Sequence, residues 1–162
     1  MSVVKWIRKK PRLATLVDQP GGVTVGAALT KAAALMEPLR AACLAELERH
    51  ILSLEEAVGA TAEENRLVAL EDVYRRATNI LDAAGPFDLE DLCAAAYSLC
   101  ELADRCRETA TVDWRAVAVH VRALRLLRQL PAEAKAERAE VLDGLHKVLA
   151  RVTPAPLAAV PA

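Results

Sequence analysis

Few side chains in this sequence offer chemistry: three histidines, four cysteines and one group of arginines. The histidines are His50, His120 and His146, and His120 is the informative one. It sits in a segment from Trp114 to about Gln129 whose apolar residues recur at helical spacing. At about 100° per residue, Arg115, Arg122, Arg125 and Gln129 gather on one side of that helix. His120 falls nearly opposite, level with Val117, Leu124 and Leu127, so it points into a core. A buried histidine must be hydrogen-bonded, so one expectation is a neutral core residue paired with another helix. The arginines, with Arg128 at one edge, leave the helix basic with no acid after Asp113. They suit a solvated face paired with acids such as Glu133, Glu137 and Glu140. The other reading is a docking surface for an acidic partner.

A sharper reading makes His120 a phosphoacceptor. Histidine phosphotransfer domains are helical bundles of similar size with the active histidine in mid-helix. Their pattern places Lys, Gly and a small residue after the histidine. Here His120 is followed by Val121, Arg122, Ala123, Leu124 and Arg125, so the Lys and Gly are absent.

The other chemical candidates are weaker. Cys43, Cys93, Cys100 and Cys106 form no CxxC pair and no Cys/His cluster with zinc spacing. Free thiols in a reducing cytosol, acting as small buried apolar groups, are expected. Gly21, Gly22 and Gly26 lack the Lys-Ser/Thr of a phosphate loop. Ser53 and Ser98 lie within expected helices with no base near in sequence. No catalytic residue, metal site or cofactor is expected, and the chain reads as a non-enzyme.

The most distinctive segment is the amino-terminal arm, KWIRKKPRLATLVDQPGG. The net charge of −1 divides into +5 for residues 1–12 and −6 for the rest, so a basic arm leads an acidic body. The arm interleaves Arg8, Lys9, Lys10 and Arg12 with Trp6, Leu13 and Leu16, then reaches a hinge at Pro20, Gly21 and Gly22. Trp and Arg are common interface anchors, and a flexible segment of this kind folds on contact with a partner. The plain alternative is a solubilising tail. Nucleic acid is not expected, because the patch is small and the body acidic.

These residues need elements to hold them. A helical pattern runs from Val25 to Val58 behind a Thr24 N-cap, with Pro38 inside it forcing a kink or a break. Thr61 and Glu64 have capping-box spacing ahead of a helix carrying Leu67, Leu70, Tyr74, Ala77, Leu81 and Ala84 on one face. Glu71–Arg75 and Asp72–Arg76 are expected ion pairs on its outside. Gly85–Pro86 stops it, with Gly85 as a left-handed cap, and Asp88 is expected to cap the next helix. That helix has a Leu92, Ala96, Leu99, Ala103, Cys106 stripe. Asp113 caps the His120 helix, and Pro131 opens a last helix with Val141, Leu145, Val148 and Val152 inward.

No segment alternates like a strand, and short connections imply antiparallel neighbours. The expected fold is therefore an all-α, up-and-down bundle of four to five helices. The expected organisation is a flexible basic extension (1–23), the bundle (24–152) and a disordered Pro/Ala tail (153–162). At 162 residues with 54% hydrophobic but only 3% aromatic content, the core must be built of Leu, Ala and Val. No signal peptide or run of about 18 apolar residues is evident, so a cytoplasmic protein without a transmembrane segment is expected.

Two stretches carry a family resemblance: RLATLVDQPGGVTVGAAL (Arg12 to Leu29), and VYRRATNILDAAGPFDLEDLCAAAYSLCELADR through VAVHVRALRLL (Val73 to Leu127). They resemble small alphaproteobacterial proteins of the chemotaxis protein CheE family. The resemblance implies an accessory role in chemotaxis or two-component signalling through contacts with other signalling proteins, and it supplies no catalytic residues. A homodimer formed along the first helix is a further expectation.

Overall fold

A computed structural model describes residues 21–152. It divides into two compact units, Met1–Leu39 and Arg40–Ala162.

In the first unit, α1 spans Val25–Met36. Thr24 caps it as expected, its Oγ1 accepting from the Ala27 amide at 3.3 Å. Pro38 has no N–H to continue the ladder, and the chain passes into a 3₁₀ turn, Glu37–Leu39. The long helix expected from Val25 is thus interrupted rather than merely bent. No α1 side chain is buried, and Leu29 and Leu35 are each 65% exposed. The stripe expected to join one core from Val25 onward becomes buried only from Leu47.

Among the described residues the second unit contains five α-helices: α2 (Arg40–Ala60), α3 (Arg66–Ala84), α4 (Glu90–Thr109), α5 (Trp114–Gln129) and α6 (Lys135–Arg151). Each of α2 to α5 packs on the next, and α5 returns to α2, closing a four-helix bundle. Helix α6 lies against α4 and α5. The all-α bundle read from the sequence is the observed architecture, and no strand occurs among the described residues.

The core is aliphatic. Leu47, Ile51 and Leu54 of α2, Leu70 and Ile80 of α3, Leu99 and Leu102 of α4 and Leu124 of α5 are fully buried. Each such side chain contributes roughly 1.5–3 kcal/mol relative to an exposed one. Fully buried Ala77 and Ala84 on α3, with Ala95, Ala96 and Ala103 on α4, give these two helices their extensive contact.

Polar fixtures set the helix ends. Asp113 Oδ1 accepts from the amides of Arg115 and Ala116, both at 3.1 Å, as the sequence predicts. Trp114 Nε1 donates to the Val58 carbonyl at 3.2 Å, tying the start of α5 to the end of α2. Two arginines hold α6. Arg138, in its first turns, donates to the Leu127 and Leu130 carbonyls at 2.8 and 3.0 Å and to Asp91 Oδ2 at 2.5 Å. Arg105 of α4 donates to the Leu149 carbonyl at 3.0 Å, at the other end of α6.

Several local expectations are corrected. The Thr61 hydroxyl donates back to the Ala57 carbonyl at 2.6 Å instead of forming a capping box, and a 3₁₀ turn, Glu63–Asn65, leads into α3. The buried face of α3 is Leu70, Val73, Ala77, Ile80 and Ala84, with Leu67 exposed and Tyr74 and Leu81 at its margins. Gly85 is right-handed, and the left-handed residue is Asp88 (φ 58°), which ends the Gly85–Phe87 turn instead of capping α4. Asp72 takes both Arg75 and Arg76, while Glu71 reaches Arg107 of α4 at 3.1 Å. The charge-assisted bond from Arg76 holds the Asp72 carboxyl below its ordinary range. Pro131 lies in a turn four residues ahead of α6.

Candidate functional site

His120 is 0% exposed, on the inner face of α5 as the sequence predicts. Its Nδ1–H donates to the Ala116 carbonyl at 2.9 Å, one turn back. That fixes the neutral tautomer with Nε2 as acceptor, and the Ser98 hydroxyl of α4 lies 3.0 Å from Nε2. Burial pushes the imidazole pKa down, against a smaller opposing effect of the Ala116 bond. Ser98, expected to have no base beside it, therefore has one. The order hydroxyl, Nε2, Nδ1–H, acceptor is that of a serine–histidine pair. Yet Ser98 is only 4% exposed, and no substrate reaches either group in this state. The pair satisfies two polar groups inside an apolar core and joins α4 to α5. The same burial argues against the alternative reading of His120 as a phosphoacceptor, since both ring nitrogens are engaged away from solvent.

The buried thiols are similarly sheltered. Cys100 and Cys106 are buried, Cys43 and Cys93 half-buried, and none is bridged. Burial raises the pKa of Cys93, Cys100 and Cys106 and keeps them protonated. Among the described residues no three His, Cys, Asp or Glu side chains stand close enough to hold a metal ion. No helix there is long and apolar enough to cross a membrane.

The arginines of α5 divide into two classes. Arg125 pairs with Glu55 at 2.6 Å, and Arg128 lies 3.4 Å from Glu48. Both acids belong to α2, so the partners are not the expected Glu133, Glu137 and Glu140. Arg115 and Arg122 make no ion pair among the described residues and are exposed. Between and beyond them lie Val119 and Leu126, large apolar side chains 42% and 45% exposed. Beside this strip, α5 and α6 enclose a shallow groove of about 350 Å³, walled by Val119, Leu126, Val141 and Val148 and passing over Gly144. A second hollow, of about 370 Å³, opens at the start of α4, but Arg138 in its wall is already held by Asp91.

Of the arm residues, Trp6, Arg8, Lys9, Lys10, Arg12, Leu13, Leu16 and Pro20 lie outside the described residues, as does the 153–162 tail. Gly21, at φ 98°, adopts a backbone conformation suited to glycine, and Gly22 follows it in non-helical chain. The groove was not singled out from the sequence. Its signal was present in the spacing of Val119 and Leu126 on the arginine side of the helix, where large apolar residues have no core to join.

Searches against protein-family models, curated proteins and solved structures find no match to this chain.

Proposed function

We propose that this chain is an accessory protein-interaction module in bacterial chemotaxis or two-component signalling, acting in the cytosol by contact and without a reaction of its own. The signalling context comes from the resemblance of the Arg12–Leu29 and Val73–Leu127 stretches. The observation that supports a contact role is the exposed strip on α5, where two arginines without ion pairs among the described residues alternate with two solvent-facing apolar side chains. Such a strip carries the features of an interaction surface: apolar area, arginine and a polar rim. The basic arm, Trp6 to Leu16 with its Pro20–Gly22 hinge, is proposed as a second contact.

The test is direct binding of the purified full chain to purified receptor, kinase, adaptor and response-regulator proteins of a chemotaxis system. The expected result is saturable binding to at least one of them. Loss of that binding on deleting residues 1–19 assigns the contact to the arm; retention assigns it to the bundle. Absence of binding to every component overturns the reading.

A second reading is self-association through α1. It is favoured by one observation: Val25, Leu29 and Leu35 are all exposed on a helix without a buried side chain. Light scattering across a concentration series tests it, with a dimer lost in Leu29→Glu supporting it and a constant monomer mass rejecting it.

A further inference from the structure

The groove between α5 and α6 has a floor, two walls and a charged rim, and together these select what fits it. Along α5, Arg115, Val119, Arg122 and Leu126 follow at steps of four, three and four residues, which places them on one face. Opposite them, Val141 and Val148 of α6 are half-buried. Between those two stands Gly144, with open space where a Cβ would project. The strip from Arg115 to Leu126 extends about 16 Å, the length of three helical turns. The apolar groove itself runs from Val119 to Leu126, about 10 Å, with Arg115 one turn beyond it, and a shallow groove bounded by two helices takes the i, i+4, i+7 face of a third helix.

The charges decide which helix. Arg125 and Arg128 are turned to Glu55 and Glu48, leaving Arg115 and Arg122 as the cations of the rim. The chain is otherwise acidic, −6 over residues 13–162, so an acidic partner is repelled from most of its surface. On the bundle it gains where its carboxylates meet these two guanidinium groups, which confers specificity as well as attraction. Leu126 and Glu140 both lie toward the α5–α6 connection, while Arg115 is at the far end of the strip. Arg122 and Glu140 both line the groove, and Arg115 extends the basic strip beyond its far end.

We infer that the α5/α6 groove docks an acidic amphipathic helix of a partner protein. Its apolar residues rest on Val119, Leu126, Val141 and Val148, one of them entering the space over Gly144. Its carboxylates face Arg115 and Arg122. This inference rests on the reading of the chain as an interaction module and specifies the chemistry of the partner.

The test uses the full chain and a fluorescent, Ala-based peptide of about sixteen residues with leucines at i, i+4, i+7 and i+11 and glutamates toward one end. A twin peptide carries lysine at each glutamate. Anisotropy is expected to show saturable binding of the acidic peptide, roughly tenfold or more tighter than its twin. Gly144→Leu fills the trough and should weaken binding by about tenfold or more. The paired substitution R115E/R122E should reverse the preference between peptides. Circular dichroism checks that each variant retains its helicity; the space at Gly144 and the helix propensity of leucine favour an intact fold. Arg75→Glu, on an exposed part of α3, should leave binding unchanged.

Equal affinity for the two peptides, or binding indifferent to both Gly144→Leu and R115E/R122E, overturns the inference. So does peptide binding that appears only after removal of residues 153–162, which gives the groove to the chain's own segment. A dimer dissociated by Gly144→Leu overturns it in favour of a second copy. A signalling protein that binds wild type and Gly144→Leu alike removes the groove's role but leaves the module reading standing. Peptide binding of the expected pattern, with no signalling component bound, supports the groove and rejects the signalling context.

Discussion

Replacing His120 by leucine separates two contributions of one buried side chain. In the wild type the neutral imidazole accepts from Ser98 and donates to the Ala116 carbonyl, at 3.0 and 2.9 Å. Leucine forfeits both bonds, each worth about 1 kcal/mol net, and returns some apolar burial. The stranded Ser98 hydroxyl can turn to the carbonyl one turn back on α4. At about pH 7.5 the variant should thus be less stable by only about 1–2 kcal/mol. The pH dependence is the sharper signature. Burial lowers the folded-state pKa of His120 below the ordinary value of 6.5. Below that value the unfolded chain takes up a proton that the folded chain refuses, so stability is full above about pH 6.5 and falls as pH drops through the window beneath it. One proton gives at most about 1.4 kcal/mol per pH unit, or up to about 2 kcal/mol by about pH 5. Urea unfolding of wild type and His120→Leu across this range, taken as a difference, cancels the contributions common to both proteins. The gap between the two proteins should narrow or invert toward acid. A gap constant with pH would refute the placement of a neutral histidine in the core.

Three further outcomes follow from the same framework. Arg138→Met removes the guanidinium that joins Asp91 to the Leu127 and Leu130 carbonyls, and should cost about 2–3 kcal/mol in urea unfolding, since its partner carboxylate is itself partly exposed. Asp113→Ala should lower stability by about 1 kcal/mol through loss of two capped amides, whereas Thr61→Ala, whose hydroxyl caps no helix start, should change it by less than about half as much, both read as thermal midpoints. In the native protein a thiol reagent followed by mass spectrometry should modify Cys43 and Cys93 first, with Cys100 and Cys106 labelled only on unfolding.

What was legible in the sequence depended on how local the deciding interaction is. The rotation of α5 was readable because its two faces differ sharply: Val117, His120, Leu124 and Leu127 against Arg115, Arg122 and Arg125. Asp113 was readable as a cap because the bond joins neighbours. On helix α3, Leu70, Ala77 and Ala84 were read correctly but Tyr74 and Leu81 were taken in place of Val73 and Ile80, since the two sets are equally apolar and only packing against α2 and α4 chooses. Asp88 and Thr61 misled because a short polar side chain before a helix has rival local bonds, and a 3₁₀ turn intervened at each place. The partners of Arg125 and Arg128 lie on α2, 70 and 80 residues away in sequence, and no periodicity reaches that far. The groove depends on the gap at Gly144 facing Val119 and Leu126, which exists only once α6 has docked.

The two arginines that hold α6 have a consequence for its axial register. Leu145 and Leu149 of this helix are buried and Val141, Leu142 and Val148 pack at the margin of the core, but apolar contact is non-directional and fixes axial register weakly. Directed bonds fix it firmly: Arg138 meets carbonyls at one end of α6 and Arg105 meets a carbonyl at the other, so a displacement that keeps one set breaks the other. The helix is pinned like a ruler clamped at both ends. Which α6 residues face Val119 and Leu126 across the trough is accordingly set by hydrogen-bond geometry at its extremities, and a strong denaturant or a charge-neutralising substitution at either clamp should loosen the trough before the four-helix core melts.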